Sequence, residues 1–397
     1  MQILVADTTI SGHLIGGAQT FLVGFMKGLV QRGHSVHLLS GGEPNARVRA
    51  AIERSGALIE KEVWDGRGFV DDAAPPVADW IGRLKPDVFV ISVSPDIGWA
   101  VLPMLDPDIA TLTIGHNDED TFYAPVRHYH RFLTRAIGVS DEICRKYITD
   151  CGMAEEAVTW IPYGVQVMDG PPAEFDAGPL RLIYVGRLDE VQKRISDVVA
   201  VVRGLNDAGV DFVIDIVGDG PRREFVEGEL PDLIAAGRVK THGWLSSAEV
   251  IAAMRRSEVF VLASTYEGFC ISLTEAMANG CLPVVTDIDS GNKQLVKHGE
   301  NGYVVPIGDI AAFVDKLTIL AKDRELVRRL RLAAWETGRK YSIDRMVENY
   351  IGCFEEAIEE ARLKPRTPDA DFPLMPSCRS RYPLWLRRIK ARVVGSR

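Results

Sequence analysis

The chain has 397 residues, 46% of them hydrophobic and 25% charged, with a formal net charge of −9. That length accommodates two domains of ordinary size, and the composition is that of a globular protein. The negative balance argues against a broad nucleic-acid surface, which needs a basic stripe, and no apolar run reaches the roughly eighteen residues needed to span a bilayer.

From the N-terminus, "MQILVAD" reads as an apolar strand with no basic segment ahead of it, so no signal peptide is expected. In "SGHLIGGAQTF" that follows, Gly16 and Gly17 open an amphipathic helix over 18–32. Paired glycines there either let the backbone approach a phosphate or sugar, or simply make a tight turn. "SVHLLSG", "DVFVIS" and "ATLTIG" read as further strands, and His34 and His37 beside the first of them are a weak basis for a metal site. His116 stands just past "ATLTIG", where a pocket residue sits in a doubly wound sheet. Asp118-x-Asp120 has a pattern that some metal-dependent sugar transferases use, but Asp287-x-Asp289 repeats it, as chance would in an acidic chain. Six scattered cysteines without a C-x-x-C pair point to reduced thiols and a cytoplasmic protein.

Around 168–180, "MDGPPAEFDAGP" is rich in Pro, Gly and acid and reads as an interdomain linker. After it, "LRLIYVG", "DFVIDIVGDG", "VFVLAS" and "LPVVTD" repeat the strand pattern, with an amphipathic helix over 194–208. The fold class expected is α/β, two Rossmann-like domains with mainly parallel sheets. Arg187 and Lys193 follow the strand that ends at Gly186, and cations near a helix start are electrostatically misplaced unless an anion such as a diphosphate binds there. "IVGDGP" (216–221) reads as a turn.

In "YEGFCISLTEAMANG" (266–280), Ser272 and Glu275 make an S-x-x-E capping box and Gly280 ends the helix. That helix start offers free N–H groups at the positive end of a dipole, suited to an anion. Residues 345–362 read as a helix and "KPRTPDADFP" as a loop. The last nineteen residues, 379–397, hold seven basic side chains and no acid, and Leu384, Trp385, Ile389 and Val393 would share a helix face. Such a segment is either an interfacial anchor on anionic lipid or a solvated tail.

The ordered set "GG" after strand one, "GR…K" after the linker, "VGDGP" and "EGFCISLTEAMANG" resembles the retaining GT-B glycosyltransferases of glycosyltransferase family 4. "RGHSVHLLSGG", "IGVSDEI", "WIPYGV" and "ENGYVVP" extend the resemblance from residue 1 to about 362. It implies an N-terminal acceptor-side domain over 1–170, a nucleotide-sugar domain over 171–344 and a helix over 345–363 returning to the first domain; beyond the resemblance, 364–397 reads as a basic tail. The two domains of the family face each other across a cleft that holds the donor. Carried over, Glu267 contacts the donor sugar and Glu275 the ribose hydroxyls, with backbone N–H groups of Cys270, Ile271, Ser272 and Leu273 toward the sugar and distal phosphate. Arg187 and Lys193 become the diphosphate clamp in place of a metal ion. Gly16, Gly17 and Gly186 allow close backbone approach to the donor, and His116 lies near the reacting centre.

The activity implied is metal-independent, retaining transfer of a hexose-type sugar from a nucleoside-diphosphate-sugar to an acceptor hydroxyl, in polysaccharide or glycolipid assembly. The partners are a nucleotide-sugar and a carbohydrate or lipid-linked acceptor, with no nucleic acid. The location is the cytoplasm, at the inner face of the membrane if 379–397 meets anionic lipid. A related enzyme using phosphate or water, or a non-catalytic scaffold, are the alternatives. Tyr163 and Gln166 stand where the family usually has asparagine and aspartate, and Gln294 where it often has glutamate. The Arg187-to-Lys193 spacing is one residue longer than in many relatives, with Arg194 a rival for the lysine's role.

Overall fold

The structure is a computed structural model that describes residues 1–8, 17–41, 45–60, 63–64, 69–93, 96–175 and 178–378. Gly16 and the basic segment 379–397 lie outside the described residues. The chain folds into two compact units, Met1–Ile161 with the segment from Val347 onward, and Pro162–Met346.

In the first unit the strands are β1 (Gln2–Ala6), β2 (Ser35–Leu39), β3 (Leu58–Glu60), β4 (Val88–Ile91), β5 (Ala110–Gly115), β6 (Arg135–Gly138) and β7 (Val158–Trp160). They form a parallel sheet in the order β3-β2-β1-β4-β5-β6-β7. The second unit holds β8 (Leu180–Val185), β9 (Phe212–Val217), β10 (Val239–Gly243), β11 (Val259–Leu262), β12 (Leu282–Thr286) and β13 (Tyr303–Val305), parallel in the order β10-β9-β8-β11-β12-β13. Central strands β4, β5, β11 and β12 are buried along their whole length, as expected of a parallel sheet covered by helices on both faces. The strands that the sequence pattern does not indicate (β3, β6, β7, β10 and β13) are either three residues long or interrupted by charged or polar side chains, so no continuous apolar run marks them.

The units divide at Ile161/Pro162, upstream of the Pro/Gly-rich stretch that reads as a linker. Residues of that stretch are fastened to the second unit. Met168 donates its N–H to the Ala278 carbonyl (3.4 Å), Arg331 donates to the Ala173 carbonyl (2.9 Å), and the Arg181 and Arg331 guanidiniums each lie 4.7 Å from the Phe175 ring. Irregular backbone satisfied by side-chain donors packs as well as a helix does, which composition does not reveal. The helix Ile343–Leu363 starts in the second unit and, from Val347, belongs to the first, where Tyr350 and Phe354 pack on Phe25. No described helix is long and apolar enough to cross a membrane.

Candidate active site

In the second sheet the order of strands reverses between β8 and β11, and ligands of doubly wound sheets bind beyond the carboxyl ends at such a point. The two loops that leave there are tied together. Thr265 donates its N–H to the Gln192 carbonyl (2.8 Å), joining the loop after β11 to the loop after β8. Across this joint runs a chain of side chains: Arg187 donates to the Gln192 carboxamide oxygen (3.0 Å), the Gln192 Nε2 to Glu267 Oε2 (3.4 Å), and Lys193 Nζ to Glu267 Oε1 (2.6 Å). Ser264 Oγ also donates to Glu267 Oε1 (2.6 Å). The ion pair is out of water, with side chains only 12% and 8% exposed for Lys193 and Glu267. Burial alone would lower the Lys193 ammonium. The Glu267 carboxylate, with Cys270 and Tyr184, more than offsets that and holds it above its ordinary value.

Arg187 is the open member of the group, 50% exposed, with Nε held by Asp189 at 2.6 Å. Asp189 also accepts the backbone N–H groups of Gln192 (2.9 Å) and Lys193 (3.2 Å). Although burial pushes the other way, these donors and Arg187 keep its carboxyl below the usual range. This turn absorbs the extra residue between Arg187 and Lys193, with Arg194 in the left-handed region at φ 47°. Arg194 is engaged with Asp197 (2.7 and 3.1 Å), while Lys193 faces Glu267.

The loop carrying Gly186 and Arg187 is propped from two sides. Tyr184, fully buried, donates its hydroxyl to the Arg187 carbonyl (2.8 Å), and a Cβ on Gly186 would meet that hydroxyl at 3.0 Å. On the other side lies the "GDG" turn. The Leu188 N–H donates to the Asp219 carbonyl (2.9 Å), and the Arg222 N–H to the Leu188 carbonyl (3.0 Å). A Cβ on Gly218, at φ +136°, would overlap the Gly186 carbonyl oxygen, and one on Gly220 would sit 2.5 Å from the Leu188 carbonyl. The turn is thus a spacer that sets the height of the Arg187 loop.

Helix Ile271–Ala278 starts two residues earlier than a capping box at Ser272 requires. Cys270 is the N-cap and makes no side-chain cap bond, so Ser272 lies inside the first turn and its hydroxyl meets Cys270 Sγ at 3.4 Å. The expected Ser272–Glu275 box does not form. A capping box does form at Ser246 and Glu249, which the strand and motif pattern does not single out. Ile271, Ser272 and Leu273 supply the first-turn N–H groups, which have no carbonyl partner within the helix. Glu275, one turn in, is half-buried. Among the described residues no side-chain or backbone donor meets its carboxylate, and burial pushes its pKa up to about 7. Gly280, at φ +87°, follows the helix as its left-handed terminator.

The first unit carries His116, just past β5. It is buried, its Nε2 2.8 Å from Ser92 Oγ beyond the end of β4, with the Phe21 ring edge-on at 5.2 Å. Burial pulls its pKa down to about 3, so the imidazole is neutral at physiological pH. Gly17 is the first residue of helix Gly17–Gln31, which also carries Phe21. Asp118 is occupied by Lys146 (2.7 and 2.9 Å) and by the Tyr123 hydroxyl (2.7 Å), and Asp120 pairs with Arg127. Lys293 bridges Asp287 (3.3 Å) and Asp289 (3.0 Å). His37 pairs with Glu60 at 2.7 Å. Among the described residues no group of three or more His, Cys, Asp or Glu is arranged to hold a metal, and the six cysteines are all thiols.

Of the residues that depart from the family pattern, Tyr163 is buried with its ring edge toward Phe269 (6.1 Å), one residue past Gly268. Gln166 offers its carbonyl to Asn279 Nδ2 (3.1 Å). Gln294 sits in the short helix Asn292–Leu295, preceded by Gly291, whose N–H donates to the Gly268 carbonyl (3.1 Å). Tyr184, Gln192 and Ser264 carry no signal in the sequence. Each looks like an ordinary strand or loop residue, and only their convergence on Arg187 and Glu267 marks them.

Two parallel α/β units, with basic and acidic groups gathered at the switch point of the second, define a protein of the GT-B class. Residues 15–168 match the model described as Glycosyltransferase Family 4, and residues 171–337 the model described as Glycosyl transferases group 1. The chain belongs to glycosyltransferase family 4 and is a glycosyltransferase. It is 27% identical over 355 residues to the phosphatidyl-myo-inositol mannosyltransferase of Mycobacterium leprae, covering 86% of this chain and 93% of that one. To the lipopolysaccharide 1,6-galactosyltransferase of Salmonella typhimurium it is 31% identical over 192 residues, 48% of this chain and 51% of that one. Its fold matches that of Anabaena HepE, solved with UDP and glucose, at a TM-score of 0.70 and 17% identity, over 89% of this chain and 99% of that one.

Proposed function

We propose that the protein is a retaining, metal-independent hexosyltransferase acting in polysaccharide or glycolipid assembly. The donor is a nucleoside-diphosphate-sugar and the acceptor a carbohydrate or a lipid-linked hydroxyl. The observation that carries the reading is the Arg187–Gln192–Glu267–Lys193 group at the switch point, two cations and a carboxylate wired together beside a helix start. Lys193 and Arg187 neutralise the diphosphate, with the first-turn N–H groups of Ile271 to Leu273 facing its distal phosphate. Glu267 then exchanges part of its pairing with Lys193 for sugar hydroxyls, and Glu275 gains the ribose hydroxyls as the donors it lacks. Residues 379–397 add a peripheral contact with anionic membrane, at the cytoplasmic face.

In the transfer, the bond from the anomeric carbon to the β-phosphate oxygen breaks and the acceptor oxygen bonds to that carbon from the same face. The acceptor proton goes to the departing phosphate oxygen, giving glycosylated acceptor and nucleoside diphosphate. His116, neutral and held by Ser92, offers a hydrogen-bonding ring rather than a charge. Support for the lipid-linked or polysaccharide acceptor comes from the activities for which the two relatives are named, one on a phosphatidylinositol and one on lipopolysaccharide.

The test is nucleoside-diphosphate release from a panel of UDP- and GDP-hexoses, with and without excess EDTA, and the anomeric configuration of the product read by NMR. Activity that persists in chelator, retained configuration and an Arg187→Ala variant about a hundredfold slower are expected. Inverted product, or activity restored only by a divalent cation, would overturn the reading.

A further inference from the structure

Past β12 the chain runs beside the loop that carries Glu267 and is tied to it on both sides of that residue. The Thr286 hydroxyl donates to the Ser264 carbonyl (2.6 Å), and the Gly291 N–H to the Gly268 carbonyl (3.1 Å). A Cβ on Gly291 would overlap the Phe269 ring, so only glycine lets the two loops lie this close. The short helix Asn292–Leu295 follows at once, and these ties to the residues flanking Glu267 set its position.

That helix holds an anomaly. Asn292 is 2% exposed, and among the described residues neither its Oδ1 nor its Nδ2 has a hydrogen-bond partner. Gln294 is half-buried, yet the exposed part is not its amide, whose Oε1 and Nε2 are both covered and both unmatched. Asn301, just beyond, shows what a structural amide looks like here. It is buried too, but it accepts the Lys297 N–H (2.7 Å) and donates to the Leu295 carbonyl (2.9 Å) and the Thr337 hydroxyl (3.0 Å). Lys293, the one charge of the short helix, is engaged with Asp287 and Asp289. A buried carboxylate could escape its surroundings by taking up a proton, but an amide has no such route, so the unmatched pair lowers stability. Groups kept at a cost to the fold beside a reacting site are expected to serve a ligand.

We propose that Asn292 and Gln294 are specificity-determining residues for the donor sugar, closing on an uncharged substituent that both donates and accepts a hydrogen bond, a hydroxyl or an acetamido group. That role rests on the transferase reading, in which Glu267 meets the same sugar. Lys193 and Arg187 only donate and an ionised Glu267 only accepts, whereas each carboxamide does both without charge. A hexuronate carboxylate would be buried against them with no cation to meet it and would leave both amide oxygens unmatched. Both amides are covered, so the sugar reaches them only when the Gly291–Gly268 tie gives and the short helix then closes again.

The experiment uses the full chain and two variants, Asn292→Leu and Gln294→Met, which keep the side-chain shape and remove the amide. Thermal shifts are measured with UDP and GDP, then with UDP-glucose, UDP-N-acetylglucosamine, GDP-mannose and UDP-glucuronate, and nucleoside-diphosphate release gives kcat/KM. With no ligand added, both variants should melt higher than the wild type, and the shift given by UDP or GDP should be unchanged. The further shift that a neutral sugar adds to its diphosphate should be lost, and kcat/KM for that donor should fall at least about tenfold. Preference for the neutral sugar over glucuronate should narrow by the same factor. Hydrogen exchange over 288–296 should slow with the neutral donor and not with the diphosphate alone. Variants that melt lower without ligand would make the amides part of the fold, and variants that keep the full sugar increment would put the sugar elsewhere; either overturns the assignment while an intact diphosphate shift leaves the donor reading standing. A wild type that neither diphosphate stabilises would overturn both.

Discussion

Glu275 gives the most discriminating test of the second unit. Its carboxyl sits half-buried in helix Ile271–Ala278 with no donor or cation to meet it among the described residues, and its pKa rises from 4.5 to about 7. A carboxyl raised in the folded state binds a proton that the unfolded chain releases. Stability therefore falls as pH rises from about 4.5 to 7, and the full penalty is present above that window. At 1.36 kcal/mol per unit the shift corresponds to about 3 kcal/mol of destabilisation at pH 8. Glu275→Gln removes the charge but leaves an amide that also lacks partners, so a gain of about 1–2 kcal/mol is expected at pH 8 and close to none at pH 5. For a unit of this size that is on the order of 4 °C in Tm. The same variant should lose most of the additional stabilisation that a nucleoside diphosphate gives to the wild type. Thermal unfolding at both pH values, with and without the nucleotide, measures all of this. An equal Tm change at pH 5 and pH 8, or a variant less stable at pH 8, would refute the idea that an unmatched carboxylate waits there for hydroxyl donors.

The buried Lys193–Glu267 pair predicts strong coupling: Lys193→Met alone should cost about 3–5 kcal/mol in denaturant unfolding, because it strands a buried carboxylate. Adding Glu267→Gln should recover most of that stability while turnover stays lost, and a double variant with near-normal turnover would remove the pair from the chemistry. His116 titrates near 3 in the folded protein against 6.5 ordinarily. Its contribution to stability is fully present above 6.5 and drains away as pH falls toward 3, so His116→Asn should flatten the stability profile between pH 6 and 4 by about one proton. The same shift means that the wild-type rate should show no His116 inflection between pH 5 and 8, and a variant-sensitive inflection there would contradict a neutral ring.

Much of the second unit was legible in the sequence. "VFVLAS" and "LPVVTD" are long apolar β-branched runs, and Glu267, Glu275, Arg187 and Lys193 follow strand ends where a doubly wound sheet gathers its ligands. What escaped was set by partners distant in sequence. The Ser272–Glu275 box failed because the helix caps at Cys270, an unfavourable capping residue that spacing does not suggest, while the real box at Ser246 stood in a stretch without an obvious strand. The 168–180 segment looked like a hinge because its composition is that of one, yet Arg331, 158 residues away from Ala173, holds it down. Gln192 and Tyr184 gain their meaning only from the joint between the loops after β8 and β11.

The close seating of the "GDG" turn against the Arg187 loop bears on how tolerance to change would be read along this chain. A survey of all single substitutions would mark Gly218 and Gly220 as intolerant, a pattern ordinarily taken as the footprint of a ligand. Here an added Cβ would strike the Gly186 and Leu188 carbonyls instead. The damage would pass through the backbone of a neighbouring loop to Arg187, so such variants should fold, retain the helix-start N–H groups, and still fail at the chemistry. Two positions whose added Cβ would meet protein backbone would thus carry the mutational signature of a substrate contact.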